Sequence, residues 1–422
     1  MKEKKTVTKN GIAIYLSKKQ DKSAFQLSLF LRGGSMYESP EESGYTHFLE
    51  HALVRNVGSI MGGELYSTLD THGLELSACT YAEMMQISIY GSREKLRHAA
   101  DILALFLSPI VLTRPELDAE RARIKAEIRE SGDRSSLVNF TNEIVHGGTS
   151  LSRSIIGSIK SVNSVTVSRL EEYRRAAFTA ENLFVYVTGG ATDEDIDYLA
   201  ERLAEHPLAA GKKRLNVAPI PADFGKRPLG VQIKNDSFTM LRFTFDLDMS
   251  RVSVAETDLL FDVLLTGNNS HLFLELSERL GYCYDVGGNL ERYSNIGTFS
   301  FYYELRESQV YDAIARTVEV LSRLKGNPLD ERACMKASYV TNAGMLEDDV
   351  RELNFTMAYE GHILELGYGG VAERAAVYDR VTPTRLREVA GEVFRPENLT
   401  LTAKGSRRRL DSERIAKILA EL

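Results

Sequence analysis

Apolar and polar residues follow two patterns along the chain, one typical of half-buried strands and one typical of amphipathic helices. In the first half, FQLSLFLRG (25–33) and MMQISIYG (84–91) alternate with period two and predict strands. THFLEHALV (46–54) and REKLRHAADILALFL (93–107) have apolar residues at helical spacing and predict helices. The first half therefore predicts strands and helices in a mixed order.

The second half of the chain repeats the same order of elements. Strands are predicted at MLRFTFDLDM (240–249) and TFSFYYEL (298–305), and helices at ETDLLFDVLL (256–265) and ESQVYDAIARTVEVLSRL (307–324). Each half also has a late strand that follows a Glu, NLFVYVTG near 185 and NLTLTAKG near 400. This recurrence predicts an internal duplication.

Residues 211–230, between the halves, are rich in Pro, Gly and Lys and have no periodicity, which indicates an extended linker. Because strands and long helices are mixed without strict β-α-β alternation, we expect an α+β fold with two homologous domains. Each domain should contain a mainly antiparallel sheet with helices packed on one face. The predicted parts are an N-terminal domain at 1–210, a linker at 211–228 and a C-terminal domain at 229–422.

The composition narrows the classes of function. The 422 residues carry a formal net charge of −7 with scattered basic residues, which argues against a nucleic-acid partner. No apolar run approaches the roughly 18 residues of a membrane helix, and no apolar core follows the N-terminal lysines, so we expect a cytoplasmic protein without a membrane span. Three widely spaced cysteines, Cys79, Cys283 and Cys334, predict buried thiols rather than disulfides.

The segment GYTHFLEHAL (44–53) places two histidines and a glutamate on one helical turn. His47 and His51 are four residues apart and stack on one face of a helix, with Glu50 beside them. Two imidazoles suit Zn²⁺, but a catalytic zinc takes three protein ligands and leaves one position open. The segment therefore predicts a metal site whose third ligand lies elsewhere in the chain.

The best candidate for the third ligand lies on the predicted helix RPELDAERARIKAEIRES, residues 114–131. Glu120 and Glu127 interrupt the apolar stripe that Leu117 and Ile124 begin. A carboxylate on a core-facing stripe is costly unless a cation or a donor meets it. We therefore expect Glu127 to bind the zinc ion and Glu120 to hold a ligand or the bound water.

The order His-x-x-Glu-His inverts the commoner His-Glu-x-x-His signature of zinc peptidases, and in both the glutamate is the general base rather than a ligand. Glu50 would accept a proton from the attacking water and pass it to the leaving amine. A lone histidine on a helix is more often packed or solvated, and a helix of acids and arginines is usually a solvated face. The combination of both segments nevertheless favours amide hydrolysis at a zinc site.

With these segments, the chain resembles the insulinase/pitrilysin family of inverted-motif zinc peptidases, which includes the mitochondrial processing peptidase. The segment GGSMYESPEESGYTHFLEH (33–51) is similar to the opening motif of the family. The residues that the resemblance assigns are the zinc ligands His47, His51 and Glu127, the base Glu50 and a further functional glutamate, Glu120.

The segment GLELSACTYAE (73–83) resembles the family's strand that pairs edge-on with an extended substrate peptide, with Ser77 in place of an asparagine. By analogy, Ser77, Ala78 and Cys79 would present backbone groups to the substrate, a mode that depends on main chain more than on sequence. An ordinary edge strand is an equal alternative for Ser77.

The segment NNSHLFLELSERLGYCYDVGG (268–288) resembles the family element whose Arg and Tyr contact substrate. One alignment places Tyr284 at the Tyr and Ser277 at the Arg. Alignment on Leu-Gly-Tyr instead places Tyr282 at the Tyr and Glu275 at the Arg. Either tyrosine is therefore a candidate for substrate contact, and neither alignment restores the arginine.

Family members enclose their substrate in a chamber of four such domains, whereas this chain has two. The resemblance therefore implies a dimer, and it favours a heterodimer with a homologous subunit over a homodimer, because some branches place the Arg and Tyr on a partner. The favoured function is a zinc endopeptidase for unfolded peptides. The alternatives are a non-catalytic structural or partner subunit and a peptide-binding module that retains zinc without turnover.

Overall fold

The computed structural model describes residues 3–19, 21–131, 137–209, 211, 230–233, 238–326, 337–406 and 410–422. The chain forms two compact units, each of which combines segments from both halves of the sequence. Unit 1 comprises Met1–Asp133, Arg153–Ala218 and Gly344–Glu373, and unit 2 comprises Arg134–Ser152, Pro219–Ala343 and Arg374–Leu422. The predicted linker at 211–228 lies, apart from residue 211, outside the described residues, so the domain boundaries stay a prediction.

Unit 1 contains a six-stranded sheet. Its strands are β1 (Lys4–Val7), β2 (Ala13–Lys18), β3 (Ala24–Arg32), β4 (Glu75–Thr80), β5 (Met84–Ser92) and β6 (Leu183–Gly189). They lie in the order β1-β2-β6-β3-β5-β4. Neighbouring strands are antiparallel except β2 and β6, which are parallel. The strand β4 is therefore one edge of the sheet.

Unit 2 contains a five-stranded sheet with the same arrangement. Its strands are β7 (Gly230–Ile233), β8 (Phe238–Asp248), β9 (Gly287–Arg292), β10 (Ile296–Arg306) and β11 (Leu399–Gly405). Their order β7-β11-β8-β10-β9 matches β2-β6-β3-β5-β4, and β7 and β11 are parallel as β2 and β6 are. This match confirms the internal duplication and the α+β fold of two mainly antiparallel sheets.

The helices form where the apolar spacing predicts them, and further helices fill the intervals. In the first half they are α1 (Tyr45–Ile60), α2 (Leu65–His72), α3 (Leu96–Leu105), α4 (Arg114–Ser131), α5 (Leu137–Val145), α6 (Ile159–Ser164), α7 (Val167–Ala177) and α8 (Asp193–Ala204). In the second half they are α9 (Val254–Leu265), α10 (Val310–Gly326), α11 (Ala343–Asp348), α12 (Val350–Ala358), α13 (Val371–Arg380), α14 (Pro383–Val393) and α15 (Ser412–Leu419). Among these described helices, none has the length and apolar content to cross a membrane.

Each sheet has a buried polar face, and a helix from the other half of the sequence covers it. In unit 1, α12 packs on β3 and β6, and the Asn354 amide donates to the carbonyl oxygens of Tyr186 at 2.9 Å and Gln26 at 3.2 Å. In unit 2, α5 packs on β8 and β11, where the hydroxyls of Thr141 and Thr402 lie 2.6 Å apart. The two units have therefore exchanged a helix.

The exchange changes the burial of β3, whose alternation predicts one face toward the core and one toward solvent. Phe25 and Leu27 on the apolar face are fully buried. Gln26 and Ser28 on the opposite face are also buried, with 6% and 0% of their surface exposed. The alternation therefore separates two buried environments, one wholly apolar and one in which Gln26 and Ser28 lie on the same face as Phe30.

The cysteines only partly follow the expectation. Cys79 and Cys283 are free thiols, Cys283 is partly exposed and Cys79 is exposed. The prediction of a buried thiol is wrong for Cys79, because it lies on the exposed side of the edge strand β4. Cys334 lies outside the described residues.

Candidate metal centre

Helix α1 carries the His-x-x-Glu-His motif, and the loop before it fixes its first turn. The Glu38 carboxylate accepts hydrogen bonds from the backbone N–H groups of Gly44 and Thr46, both at 2.7 Å. Gly44 has a φ of 85°, which favours glycine, and a Cβ atom there would lie 2.6 Å from the Cα of Gly157. These contacts fix where the helix begins and hence where its histidines lie.

The side chains of His47, His51 and Glu127 converge on one point. Nε2 of His47 lies 3.6 Å from Oε1 of Glu127, and Nε2 of His51 lies 3.6 Å from Oε2. Within the described residues, this is the only group of three or more His, Cys, Asp or Glu side chains whose ligand atoms lie within 4.8 Å of one another. His47 is buried, whereas 41% of the Glu127 side chain is exposed, so the cluster is open on the glutamate side.

Helix α4 brings two carboxylates to α1 because its apolar stripe packs there. Leu117 and Ile124 are buried, as the spacing predicts. Glu120 lies on the same stripe and is 2% exposed. Its Oε2 is 3.2 Å from Nδ1 of His51, and its Oε1 accepts a hydrogen bond from Nε of Arg55. The buried carboxylate thus meets a donor and a cation, which offset the cost of its burial.

Burial favours a neutral imidazole at His47, and a hydrogen-bond partner determines which nitrogen of His51 faces the cluster. Burial, and then the neighbouring His51, lowers the pKa of His47 to about 3. The Glu120 carboxylate favours a proton on Nδ1 of His51, which leaves Nε2 unprotonated toward Glu127. Burial raises the pKa of Glu120, but hydrogen bonds from His51 and Arg55 outweigh burial and hold that pKa below its ordinary value.

The geometry of the cluster fits a zinc ion. Bonds of roughly 2.0–2.2 Å in a tetrahedral arrangement separate neighbouring ligand atoms by roughly 3.3–3.6 Å. The three ligand atoms lie within 4.8 Å of one another, and each imidazole Nε2 lies 3.6 Å from one of the two Glu127 oxygens, which is close to that separation. Two imidazoles and one carboxylate leave a fourth position, so these side chains have the composition of a catalytic zinc site.

Glu50 lies beside the cluster without belonging to it. It is buried, and Oγ1 of Thr80 donates a hydrogen bond of 2.6 Å to its Oε2. Burial raises the pKa of Glu50, and the hydrogen bond from Thr80 opposes this effect. A carboxyl group with a raised pKa is suited to accept and return protons near neutral pH.

The edge strand β4 lies next to α1. The side chains of Ser77 and Cys79 are exposed, and that of Ala78 is partly buried. An edge strand leaves one row of backbone N–H and C=O groups without a strand partner. These groups are available for an added strand, and the role of the three residues in substrate binding stays a prediction.

A pocket of about 630 Å³ adjoins the cluster. Glu50 and His51 contribute to its lining, whereas His47 and Glu127 do not. Apolar side chains of α1, α2 and β4 form part of its wall, together with Arg123 of α4. The pocket therefore extends from the side of the cluster where Glu50 lies.

The two candidate contact tyrosines lie in unit 2, just after the π-helical turn Phe273–Arg279. Tyr284 is 97% exposed, and its carbonyl oxygen accepts a hydrogen bond of 3.0 Å from the Ser277 hydroxyl. The Tyr282 hydroxyl donates to Asp312 at 2.7 Å. Their contact with substrate stays a prediction.

Sequence reasoning did not identify three residues around the cluster. Arg55 follows His51 by four residues, so helical spacing places it near the site, but a charged residue at that spacing is common. Thr80 has no local signal, because only the fold brings it to Glu50, thirty residues away in sequence. Glu38 is close in sequence to Gly44 and Thr46 and lies in the segment 33–51 that resembles the family's opening motif, but the sequence patterns do not predict its role at the first turn of α1.

Sequence profiles of known families match most of the chain. The profile of insulinase (peptidase family M16) matches residues 13–158, and that of the peptidase M16 inactive domain matches residues 164–337. An uncharacterized zinc protease of Rickettsia felis is 26% identical over 309 residues, which is 72% of this chain and 74% of that protein. The mitochondrial cytochrome b-c1 complex subunit 1 of Caenorhabditis elegans is 23% identical over 201 residues, which is 47% of this chain and 42% of that protein.

Solved structures share the fold. A protease from Helicobacter pylori has a TM-score of 0.85 at 16% identity, over 96% of this chain and 99% of that chain. The periplasmic protease PqqL from Escherichia coli has a TM-score of 0.81 at 18% identity, over 100% of this chain and 50% of that chain. At such identities the likeness establishes the fold alone.

Proposed function

Since this chain belongs to the insulinase family of peptidases, family M16, we propose that it is a zinc endopeptidase that hydrolyses unfolded peptides. The observation that carries the proposal is the convergence of His47, His51 and Glu127 beside the buried Glu50. Two imidazoles, one carboxylate and an open position are typical of a catalytic zinc, whereas a structural zinc is closed by a fourth protein ligand.

The residues of the chain have distinct roles in this reaction. The three ligands would hold the zinc ion, which when bound would supply Lewis acidity toward the peptide carbonyl and the attacking water. Glu50 accepts a proton from the water and donates it to the leaving amine. Thr80 orients Glu50, and Glu120 orients His51 so that its Nε2 is directed at the metal.

The edge strand β4 favours extended substrates. In our proposal, the backbone groups of Ser77, Ala78 and Cys79 pair with a substrate strand, and Thr80 on the same strand is hydrogen-bonded to Glu50. A peptide that adds to a sheet edge must be extended over the bond to be cleaved, which an unstructured peptide allows and most of the chain of a folded domain does not. The proposed substrates are therefore short or unstructured peptides rather than folded proteins.

A second, homologous subunit belongs to the proposed enzyme. This chain covers half of the PqqL chain, so a protein with twice the length exists within the same fold. We place the catalytic site in the N-terminal part, residues 1–210, and propose a dimer that encloses the substrate. A heterodimer is preferred to a homodimer, since the resemblance places the family's arginine at Ser277 or at Glu275, and neither alignment restores it. Tyr282 or Tyr284 is the proposed substrate contact of the C-terminal part.

A non-catalytic partner subunit is the second candidate. The similarity to a subunit of the cytochrome b-c1 complex favours it, because that protein's name assigns it to a respiratory complex rather than to a peptidase. The complete set of ligands with a buried base beside them favours the enzyme. A subunit without turnover has no use for a carboxylate that Thr80 orients next to a metal site.

The test is hydrolysis of an internally quenched, unstructured peptide by the purified chain, with its zinc content measured in the same sample. We expect zinc-dependent cleavage that Glu50→Gln abolishes while zinc stays bound. His51→Ala should lose both zinc and cleavage. The matched control is Glu130→Gln, which makes the same change at an exposed position of α4.

Each outcome separates the candidates. Cleavage that needs zinc and Glu50 supports a peptidase that is active without a different subunit. A zinc-loaded chain that cleaves only after a homologous subunit is added supports the heterodimer. A chain that stays inactive in both cases, or near-normal cleavage by Glu50→Gln, contradicts the proposed function.

A further inference from the structure

The pocket beside Glu50 contains a cation that the mechanism above does not use. Arg123 lies on α4, three residues after Glu120 and four before Glu127, and lines the pocket with Glu50 and His51. Its side chain is exposed. It makes no hydrogen bond or ion pair to any residue that the structure describes. None of the guanidinium donors is therefore taken up by a described residue, so they can meet a ligand.

The carboxylates of the pocket other than Glu50 already have partners. Glu120 accepts a hydrogen bond from Arg55 and faces His51. Glu116 accepts a hydrogen bond of 2.7 Å from the hydroxyl of Ser59 and further bonds from the residue before its helix. Arg55 is neutralised by Glu120 in turn. Arg123 is therefore the cation of this pocket that can pair with a negative charge on a substrate.

The position of Glu50 determines which part of a substrate enters this pocket. In the proposed reaction, Glu50 donates a proton to the leaving amine, so that amine must come within hydrogen-bond distance of Glu50. The pocket adjoins Glu50 and not His47. It therefore receives the side chain of the residue that supplies the amine, the first residue after the cleaved bond.

We propose that Arg123 is a specificity-determining residue that selects substrates with a carboxylate side chain directly after the cleaved bond. This inference rests on the proposed function and adds a substrate preference to it. A guanidinium binds a carboxylate with two parallel hydrogen bonds, which gives direction as well as charge. The apolar wall of Val54, Leu65 and Leu76 suits the methylene stem of such a side chain.

Arg123 and Glu50 line the same pocket. A substrate carboxylate that pairs with Arg123 would therefore bind close to the proton-transferring group. Placement of the leaving amine and recognition of the following side chain are coupled at this pocket.

The experiment uses the zinc-loaded full-length chain, with its homologous subunit where cleavage requires one. A mixture of unstructured peptides first locates the cleaved bonds by mass spectrometry. Three matched peptides then carry Glu, Gln or Lys directly after the bond. We expect kcat/KM for the Glu peptide to exceed that for the Gln peptide by about fivefold, the upper range for an exposed ion pair. High salt should reduce this preference.

Variants separate charge recognition from a structural role. Arg123→Gln should equalise the Glu and Gln peptides, and Arg123→Glu should favour the Lys peptide. Arg129→Gln is the control, since Arg129 is exposed on the same helix and lines a different groove. An unchanged preference in Arg123→Glu overturns the inference and leaves the proposed function intact.

Two further arms make the remaining outcomes decisive. In one arm, the peptides end with the residue directly after the cleaved bond and have either a free or an amidated C-terminus. This arm tests whether Arg123 recognises a terminal carboxylate. A rate increase only for the free C-terminus overturns the assignment to a side chain. Fluorescence anisotropy of the three peptides with zinc-loaded Glu50→Gln measures the preference without turnover. Equal affinities for the Glu, Gln and Lys peptides overturn the inference. If wild type cleaves none of them but the Glu peptide still binds most tightly, only the proposed function is contradicted.

Discussion

Thr80 donates a hydrogen bond of 2.6 Å to Glu50, so the edge strand β4 directly orients the proposed base. We expect Thr80→Val to lower kcat by about tenfold, because a hydrogen bond to a charged group contributes about 1.5–3 kcal/mol. Zinc content should not change. Steady-state kinetics with a quenched peptide measures the effect, and Thr80→Ser should restore turnover. Full activity in Thr80→Val would show that Glu50 needs no partner on β4.

Zinc should stabilise the folded chain through His51. A ligand that binds only the folded state raises its stability by about 4 kcal/mol when present at about a thousand times its dissociation constant. Adding zinc to the protein after a chelator has removed bound metal should therefore raise Tm, and His51→Ala should remove that rise. The control is His98→Ala, a histidine exposed on α3. A full zinc-induced rise in His51→Ala would contradict the ligand assignment.

Glu120 should affect zinc affinity without binding the ion. Its carboxylate lies 3.2 Å from Nδ1 of His51, and removal of such a supporting partner typically weakens metal binding by about 10–100-fold. We expect this loss in Glu120→Gln, measured by competition with a chromophoric chelator. Glu130→Gln, exposed on the same helix, should bind zinc like wild type. Equal affinities in both variants would limit Glu120 to neutralising Arg55.

Glu38 should make stability depend on pH. Burial raises its pKa from an ordinary 4.5 to about 7, against the opposing hydrogen bonds from Thr46 and Gly44. The folded chain then holds this proton more tightly than the unfolded chain does. The contribution to stability is therefore fully present below the unfolded pKa and decreases as pH rises toward 7, by about 3 kcal/mol.

The measurement that isolates Glu38 compares wild type with Glu38→Gln. Urea unfolding of both proteins, with metal removed by a chelator, gives their free energies of unfolding between pH 4.5 and 8. Glu38→Gln has one carboxylate acceptor fewer and is less stable at every pH. The informative quantity is therefore the slope of the free energy of unfolding against pH. Wild type should lose stability relative to the variant as pH rises to about 7 and should run parallel above it. Parallel curves throughout would contradict the raised pKa.

Asn354 should stabilise unit 1 through the exchanged helix. It is fully buried, and its amide donates to the carbonyl oxygens of Gln26 and Tyr186. Asn354→Leu leaves those acceptors without the amide, and we expect a loss of about 2 kcal/mol in the free energy of unfolding. Glu352→Gln, exposed on the same helix, should change stability by less than about 0.5 kcal/mol. Urea titration measures both.

Local patterns predict the elements that carry the site, and long-range contacts explain what the patterns leave out. The helix predicted at 114–131 forms as Arg114–Ser131, since its apolar stripe and first turn are encoded within the segment. The partner of Glu50 is Thr80, thirty residues away, and no local spacing connects the two. Side-chain pairs of this kind are fixed by the sheet rather than by neighbouring residues.

The exchanged helices are the largest feature that the patterns do not reveal. Alternation in β3 distinguishes Phe25 and Leu27 from Gln26 and Ser28, but it does not say whether water or a helix covers the polar side chains. The answer lies in α12, more than three hundred residues later. The buried face of α12 is mostly apolar, with Leu353 and Met357 beside Asn354, and its spacing does not say which surface it covers.

The exchange of helices also affects the order in which the protein can fold during synthesis. A ribosome makes the chain from its N-terminus, so β3 and β6 emerge long before α12. The polar side of the first sheet stays uncovered until residue 358 has been made, and the metal-binding unit cannot mature during synthesis of the N-terminal half alone. A gene cut between the halves would yield two fragments that each lack a helix held by the other, so neither fragment would mature unless both were produced together.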